Sequence, residues 1–303
     1  MARRRLTDEE RVASRERSNA LTRVRMERYR HRLVEQRQAQ ARAKLESRKG
    51  GYIYRPEGQA GEYSALAANP YRGCGHGCFY CYVPEVLRMS RAEFDAGAVP
   101  RPDFLKKLMR DAIRYRAAGI TEQVMLTFTS DPYHPGDTEL TREAIEVLIE
   151  YGLGFCTLSK GGTRALRDLD LFRPDRDAFA TTLTTLYDEF SLKWEREAQV
   201  PSNRILALKR LHNAGTFTWV SLEPVIDVDV SIEIIKQTYR FVDLFKVGRL
   251  NYDKMTKTTD WKDYTERVIE VLAKVGARAY IKKDLQRYLP TGYDNPLRVP
   301  QHH

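Results

Sequence analysis

Cys74, Cys78 and Cys81 stand within eight residues of one another in the stretch NPYRGCGHGCFYCY (69–82), and they are three of the chain's four cysteines. A cluster this tight and odd in number is not a disulfide framework; it belongs to metal binding or redox chemistry in a reducing compartment. Two centres suit it. A structural zinc site wants four closed ligands, which Cys74, His76, Cys78 and Cys81 would supply, although His76 sits between two cysteines in a very short loop. Three thiolates alone suit a four-iron cluster, in which one iron stays open to bind something else.

Such a loop needs a scaffold that holds it beside other polar groups, and the chain has the rhythm of one. Apolar, strand-like runs occur at 122–130, 154–160, 178–185, 217–225 and 244–251, and a further strand is expected just before Cys74. Amphipathic segments at 101–119, 138–152, 202–215 and 231–242 lie between them, several ending in glycine as a helix terminus favours. Repeating β-then-α units with apolar strands imply a parallel sheet with right-handed crossovers. About six units are too few to close an eight-fold barrel, so the expected fold is α/β, a partial (β/α)6 barrel. In parallel α/β folds ligands sit at the carboxyl ends of the strands. Here those ends carry Ser130, Asp131, Lys160, Thr182 to Thr185, Glu223, Pro224, Arg249 and Asn251, and the cysteine loop faces the same mouth.

Charge is distributed unevenly over the 303 residues. The net charge is +10, and residues 1–50 hold sixteen basic against seven acidic side chains, which accounts for +9 of it. That segment is rich in Arg, Glu, Gln and Ala, has sparse apolar residues, and reads as a long solvated helix. The expected organisation is a basic, mostly helical extension over 1–50, followed over 51–303 by the barrel domain with a C-terminal extension. An Arg-heavy excess suits a polyanion such as DNA. No apolar run is long enough to span a bilayer, and the charged N-terminus lacks the apolar core of a signal peptide, so a cytoplasmic location is expected.

The spacing C-x3-C-x2-C, with an aromatic before the last cysteine and a strand before the loop, resembles the signature of the radical S-adenosylmethionine (radical SAM) superfamily. The blocks NPYRGCGHGCFYCY, TSDPYHPGDTELTREAIEVL, LSKGGTRALRDLDLF, TTLTTLYDE and RILALKRLHNAG…EPVI are similar, in order, to those of its spore photoproduct lyase-like branch. The similarity covers residue 69 to about 251 and leaves out the N-terminal extension. It implies a 4Fe-4S cluster on Cys74, Cys78 and Cys81, with S-adenosyl-L-methionine (SAM) on the open iron. An electron from a flavodoxin or ferredoxin type donor would then split the sulfonium, giving a 5′-deoxyadenosyl radical that abstracts hydrogen from an unactivated carbon. By the same resemblance the Tyr80 backbone lies against the adenine, Ser130 stands near the methionine amine, and Lys160 reaches the carboxylate or ribose. Thr182 and Thr184 hold the ribose hydroxyls, Pro224 and Val225 line the adenine, and Asp131 and Glu223 join the cofactor-binding set.

One position departs from the lyase. There, the residue before the matching Ser-Asp pair is a cysteine that returns a hydrogen atom to the product radical; here it is Thr129. Cys156, in mid-strand, reads as a small core residue. Tyr82 matches an aromatic that helps relay hydrogen in the lyase and is counted as catalytic with the three cysteines. Tyr133, His134, Arg249 and Asn251 are expected to hold the substrate. The resulting expectation is a radical SAM enzyme, of isomerase or lyase type, that rearranges or modifies a thymine-type base in DNA, including hypermodified thymidines of the phage type. The alternatives are a lesion-repair lyase of the spore photoproduct type, or a nucleic-acid-binding protein with a structural zinc or a redox-sensing cluster.

Overall fold

The computed structural model describes residues 7–47, 50–249 and 258–295. Its strands among these residues are β1 (Leu66–Ala68), β2 (Tyr71–Arg72), β3 (Val99–Pro100), β4 (Gln123–Leu126), β5 (Gly154–Leu158), β6 (Ala178–Thr182), β7 (Phe217–Leu222), β8 (Leu244–Val247) and β9 (Ala279–Ile281). Seven of them form one parallel sheet in the order β1-β4-β5-β6-β7-β8-β9, while β2 and β3 make a separate antiparallel pair. The six strands expected from the repeat are all present, and β9 extends the sheet by one more. The result is an open, partial barrel.

These strands are short and buried along nearly their whole length, the pattern of parallel strands covered on both faces. Their register brings Ala67, Met125, Cys156 and Ala178 into line on neighbouring strands, with Ala180, Trp219 and Leu244 continuing the cluster. Small residues at Ala67, Cys156, Ala178 and Ala180 leave the room that Met125 and Trp219 fill. Cys156 is 3% exposed and belongs to this core.

The first helix, α1 (Asp8–Glu46), is 39 residues long and starts with a capping box, in which Thr7 and Glu10 satisfy each other's backbone N–H. It forms one compact unit with Arg114–Ile120, where Arg42 Nε donates to Ala118 O at 2.8 Å. The other unit holds the sheet. After the short helices α2 (Val83–Leu87) and α3 (Arg91–Asp95), the crossovers are made by α4 (Phe104–Ala117), α5 (Glu139–Glu150), α6 (Asp188–Trp194), α7 (Pro201–Asn213), α8 (Val228–Thr238) and α9 (Trp261–Val275). The link between β5 and β6 is a tight 3-10 segment, Gly162–Leu171. No helix among the described residues is long and apolar enough to cross a membrane.

Candidate active site

The cysteine loop leaves β1 through Asn69, whose side chain ties the strand ends together. Its Oδ1 accepts from Thr127 Oγ1 (2.7 Å) and from the backbone N–H of Phe128 (2.8 Å) and Thr129 (3.3 Å), which fixes the turn that presents Ser130. Gly73 follows at φ +82°, and a Cβ there would collide with the carbonyl oxygen of Gly97, so only glycine lets the loop pass. Cys74 N–H donates to Phe94 O at 3.1 Å, and Cys81 N–H to Cys78 O at 3.1 Å. Arg91 clamps the loop by donating to the carbonyls of Cys78 and Cys81, and is itself held by Asp95 at 2.8 Å.

Beneath the loop lie two buried ionic clusters. Asp131 accepts from Ser159 Oγ (2.5 Å) and from the N–H groups of Lys160 (2.7 Å) and Tyr133 (2.8 Å), and faces His76 Nδ1 at 3.4 Å. Burial pushes its carboxyl up, but the His76 ring and these donors outweigh that and hold it below the usual value. Arg164 can only donate, so its contact with His76 Nε2 (3.4 Å) makes that nitrogen the acceptor and leaves Nδ1–H for Asp131. Burial depresses His76 to about 4, so the ring is neutral. Both its nitrogens are engaged by protein, and neither is offered to a zinc ion with the three thiols.

The second cluster centres on Glu195, which is fully buried. It takes hydrogen bonds from Tyr80, Arg204, Ser191 (3.0 Å) and Thr184 (3.3 Å). Burial pushes its carboxyl up, yet the Arg204 and Lys160 charges pull it down to about 2. The same segment pairs with the loop, Phe79 N–H donating to Trp194 O (2.9 Å) and Glu197 N–H to His76 O (3.0 Å). Tyr80 is thereby pinned beneath the Lys160 ammonium, which lies 5.4 Å from its ring centre.

All three thiols open onto one cavity of about 450 Å³. Along one side run Ser130, Asp131, Lys160, Thr182 and Tyr80. At the far end stand Tyr63, Ser221, Glu223, Arg249 and Lys282. Tyr63 Oη donates to Glu223 Oε2 at 2.6 Å and lies 3.1 Å from Ser221 Oγ. Lys282, 1% exposed, pairs with the same carboxylate and lies 4.6 Å from the Tyr63 ring centre. Arg249 Nε is 3.4 Å from Asp284.

Residues 68–242 match the Radical SAM superfamily. The chain belongs to that superfamily. No curated protein sequence matches it. Among solved structures, spore photoproduct lyase mutants share its fold, one with dinucleoside spore photoproduct at TM-score 0.59 and 13% identity, covering 77% of this chain and 79% of that one. Another, with bound AdoMet and the same photoproduct, has TM-score 0.55 and 16% identity, covering 72% and 76%. Streptococcus suis SuiB bound to precursor peptide SuiA has TM-score 0.57 and 14% identity, over 73% of this chain and 49% of SuiB, so this chain spans about half of that protein. A radical SAM enzyme uses a 4Fe-4S cluster and SAM, and the residues of this cavity fit both. Burial pushes the three thiols up, Cys78 to about 11, so thiolates here need the positive charge that iron supplies. Ser130 Oγ is buried without a hydrogen-bond partner, a polar group suited to a ligand. The cavity is in the size range of cofactor pockets.

In this radical SAM protein most of the expected residues do converge. Cys74, Cys78, Cys81, Tyr80, Tyr82, Ser130, Asp131, Lys160, Thr182, Glu223, Pro224 and Arg249 all line the cavity. Four do not line it. Thr184 is buried against Glu195, and Val225 is buried off the cavity. Tyr133 and His134 were expected at the mouth, but Asp131 caps the Tyr133 N–H and turns the chain inward. Tyr133 is fully buried and His134 packs edge-on against Tyr71 at 4.7 Å between ring centres. Asn251 lies outside the described residues. Asp131 and Glu223 reach the cavity with protein partners already on their carboxylates. Sequence reasoning missed Tyr63, Glu195, Arg204 and Lys282.

Proposed function

We propose that the protein is a radical SAM enzyme that rearranges or modifies a thymine-type base in DNA, with the hydrogen taken from the base returned to the product through Tyr82 rather than a cysteine. The observation that carries this reading is the two-ended cavity, three thiols at one end and the Tyr63–Glu223–Lys282 cluster with Arg249 at the other. The blocks shared with the spore photoproduct lyase-like branch support a base as substrate, as does the lyase's fold-level similarity. Hypermodified thymidines of the phage type fall within this class.

Cys74, Cys78 and Cys81 hold the cluster, and Arg91 keeps their loop closed. Ser130 Oγ would accept from the methionine amine of SAM, Lys160 would reach its carboxylate or ribose, and Thr182, the Tyr80 backbone and Pro224 would border the nucleoside. Once bound, the cluster and SAM supply a carbon-centred radical able to take hydrogen from an unactivated C–H. At the far end Arg249 orients the base, which must leave its stack to enter. Glu223 holds the Tyr63 proton, with Lys282 balancing the carboxylate's charge. Burial, and then the Glu223 charge, push the Tyr63 hydroxyl well up, so it remains protonated.

The missing thiol supports modification over lesion repair. Thr129 Oγ1 donates to Tyr71 O at 2.9 Å, and Cys156 is in the sheet core, so among the described residues no fourth thiol lines the cavity. Tyr82 does line it. The test is anaerobic incubation of the reconstituted enzyme with thymine-containing DNA, SAM and a reductant, followed by mass spectrometry of the nucleosides. An altered thymidine that depends on SAM, formed in excess over 5′-deoxyadenosine, is expected. Deoxyadenosine without any altered nucleoside, in single- and double-stranded DNA alike, would overturn the reading.

A further inference from the structure

Every residue from Arg15 to Arg32 is exposed. At 1.5 Å per residue this is about 27 Å of helix, roughly five turns. It carries seven arginines against two glutamates, a net +5, and their order is not that of a solvated face with mixed charge. Arg25, Arg28 and Arg32 follow one another at i, i+3 and i+7 and form one row, with Arg17 eleven residues before Arg28 on the same side. Arg23 and Arg30, seven apart, form a second row, about 180° around the helix from the first at 100° per residue.

The two flanks between these rows differ. One holds Ser18, Thr22, Met26 and Tyr29, at i, i+4, i+8 and i+11, with Arg15 at its N-terminal end. The other holds Glu16, Ala20, Val24, Glu27 and His31 at the same kind of spacing. Both acids of the stretch therefore sit on one flank, and the uncharged hydrogen-bonding groups lie opposite. A helix lying across a phosphate backbone needs basic residues on a single face. Two opposed basic rows, with a neutral polar stripe between them and the acids behind, match a helix set into a groove walled by phosphates on both sides.

We infer that α1 is a duplex-DNA-binding helix that lies in the major groove, its two arginine rows on the two phosphate walls and its Ser18–Thr22–Met26–Tyr29 stripe toward the base edges. The B-DNA major groove, about 12 Å wide, admits a helix of about 10–12 Å diameter. The A-form RNA groove is too deep and narrow. Ser and Thr hydroxyls pair with base edges of either kind, and Met26 offers an apolar surface to a thymine methyl. The inference deepens the DNA-directed reading of the active site and rests on it for the kind of polymer, but it is tested by binding alone.

The experiment measures fluorescence anisotropy of a labelled 20-bp DNA duplex with the full chain, across a salt series. Three variants are compared: Arg25→Gln/Arg28→Gln/Arg32→Gln, Arg23→Gln/Arg30→Gln, and Glu16→Gln/Glu27→Gln. The sites are exposed and Gln is a good helix former, so circular dichroism should be unchanged. Loss of three phosphate contacts should flatten the salt slope by about 2.7, and loss of two by about 1.8. Affinity at 0.15 M salt should fall at least about 10-fold for the triple variant, while removing the acids should not weaken it. An RNA duplex of the same sequence should bind at least about 10-fold more weakly. If either arginine row is silent, or if RNA duplex or single-stranded DNA binds as tightly, the groove assignment is overturned. Groove binding without any altered nucleoside would sink the base-modification reading alone; altered nucleosides without two-row dependence would sink the helix assignment alone.

Discussion

The two ends of the cavity are built in different ways. At the cysteine end the thiols lie on one loop, and their supports are the turns directly after β4 and β5, Ser130–Asp131 and Ser159–Lys160, backed by the Glu195–Arg204 pair. At the far end Tyr63, Ser221 with Glu223, Arg249 and Lys282 come from four separate places in the chain, and Lys246 completes the frame by donating to the carbonyls of Glu62 (3.0 Å) and Tyr63 (2.8 Å). A local motif makes the first end, and the course of the sheet, which brings Tyr63 to Glu223 and Lys282, makes the second. On the proposed function the reaction start belongs to the first and the choice of substrate to the second, so substitutions should separate them.

The sharpest separation is expected from Cys78→Ala. Removing one of three thiolates should take iron from about four per chain to near zero after anaerobic reconstitution, whereas variants at the far end keep their iron. Stoichiometric zinc with no iron in the wild type would break the comparison at its root. Lys282→Met comes next: it strips the counter-charge from Glu223 at the far end. Product formation should drop about 100-fold, the scale of losing one preorganised charged group, while iron content and uncoupled SAM cleavage stay as they were. Parallel loss of iron would show that the two ends are not independent.

Glu195→Gln probes the support behind the loop. It leaves the Arg204 charge buried without its carboxylate, which costs about 3–5 kcal/mol and should lower the melting temperature by about 10 °C. Glu195→Gln/Arg204→Met, which removes both charges, should recover part of that loss. The smallest effect is expected from Thr129→Cys. Thr129 Oγ1 is turned to the Tyr71 carbonyl, away from the cavity, so a thiol there should not confer spore photoproduct reversal, assayed by chromatography of the released thymine; its appearance would show that the position does reach the substrate.

What could be read from the sequence follows the same division. The cysteine loop, the parallel strands and the polar residues that directly follow them are local signals, and six strand ends were enough to place Ser130, Lys160 and Thr182 at one mouth. Tyr133 and His134 lie buried off the cavity, because the rule of strand ends says nothing of side-chain direction in the turn that Asp131 caps. Glu195 and Arg204 lie in KWEREAQVPSNR, whose charges look like a solvated helix surface; their burial is set by the loop that packs over them. Lys282 carried a usable signal, since it follows three buried residues of β9, but that strand is three residues long and falls after the repeat. Tyr63 precedes the first strand and reaches the site only because the sheet brings Glu223 to it.

Abstraction of hydrogen from a thymine-type base in DNA is tested with DNA whose thymidines are fully deuterated, incubated anaerobically with reconstituted enzyme, SAM and dithionite. Deuterium in the methyl group of 5′-deoxyadenosine, absent when Cys78→Ala protein is used, is the predicted result. Deoxyadenosine that forms in normal yield yet carries no deuterium from any DNA substrate would contradict it.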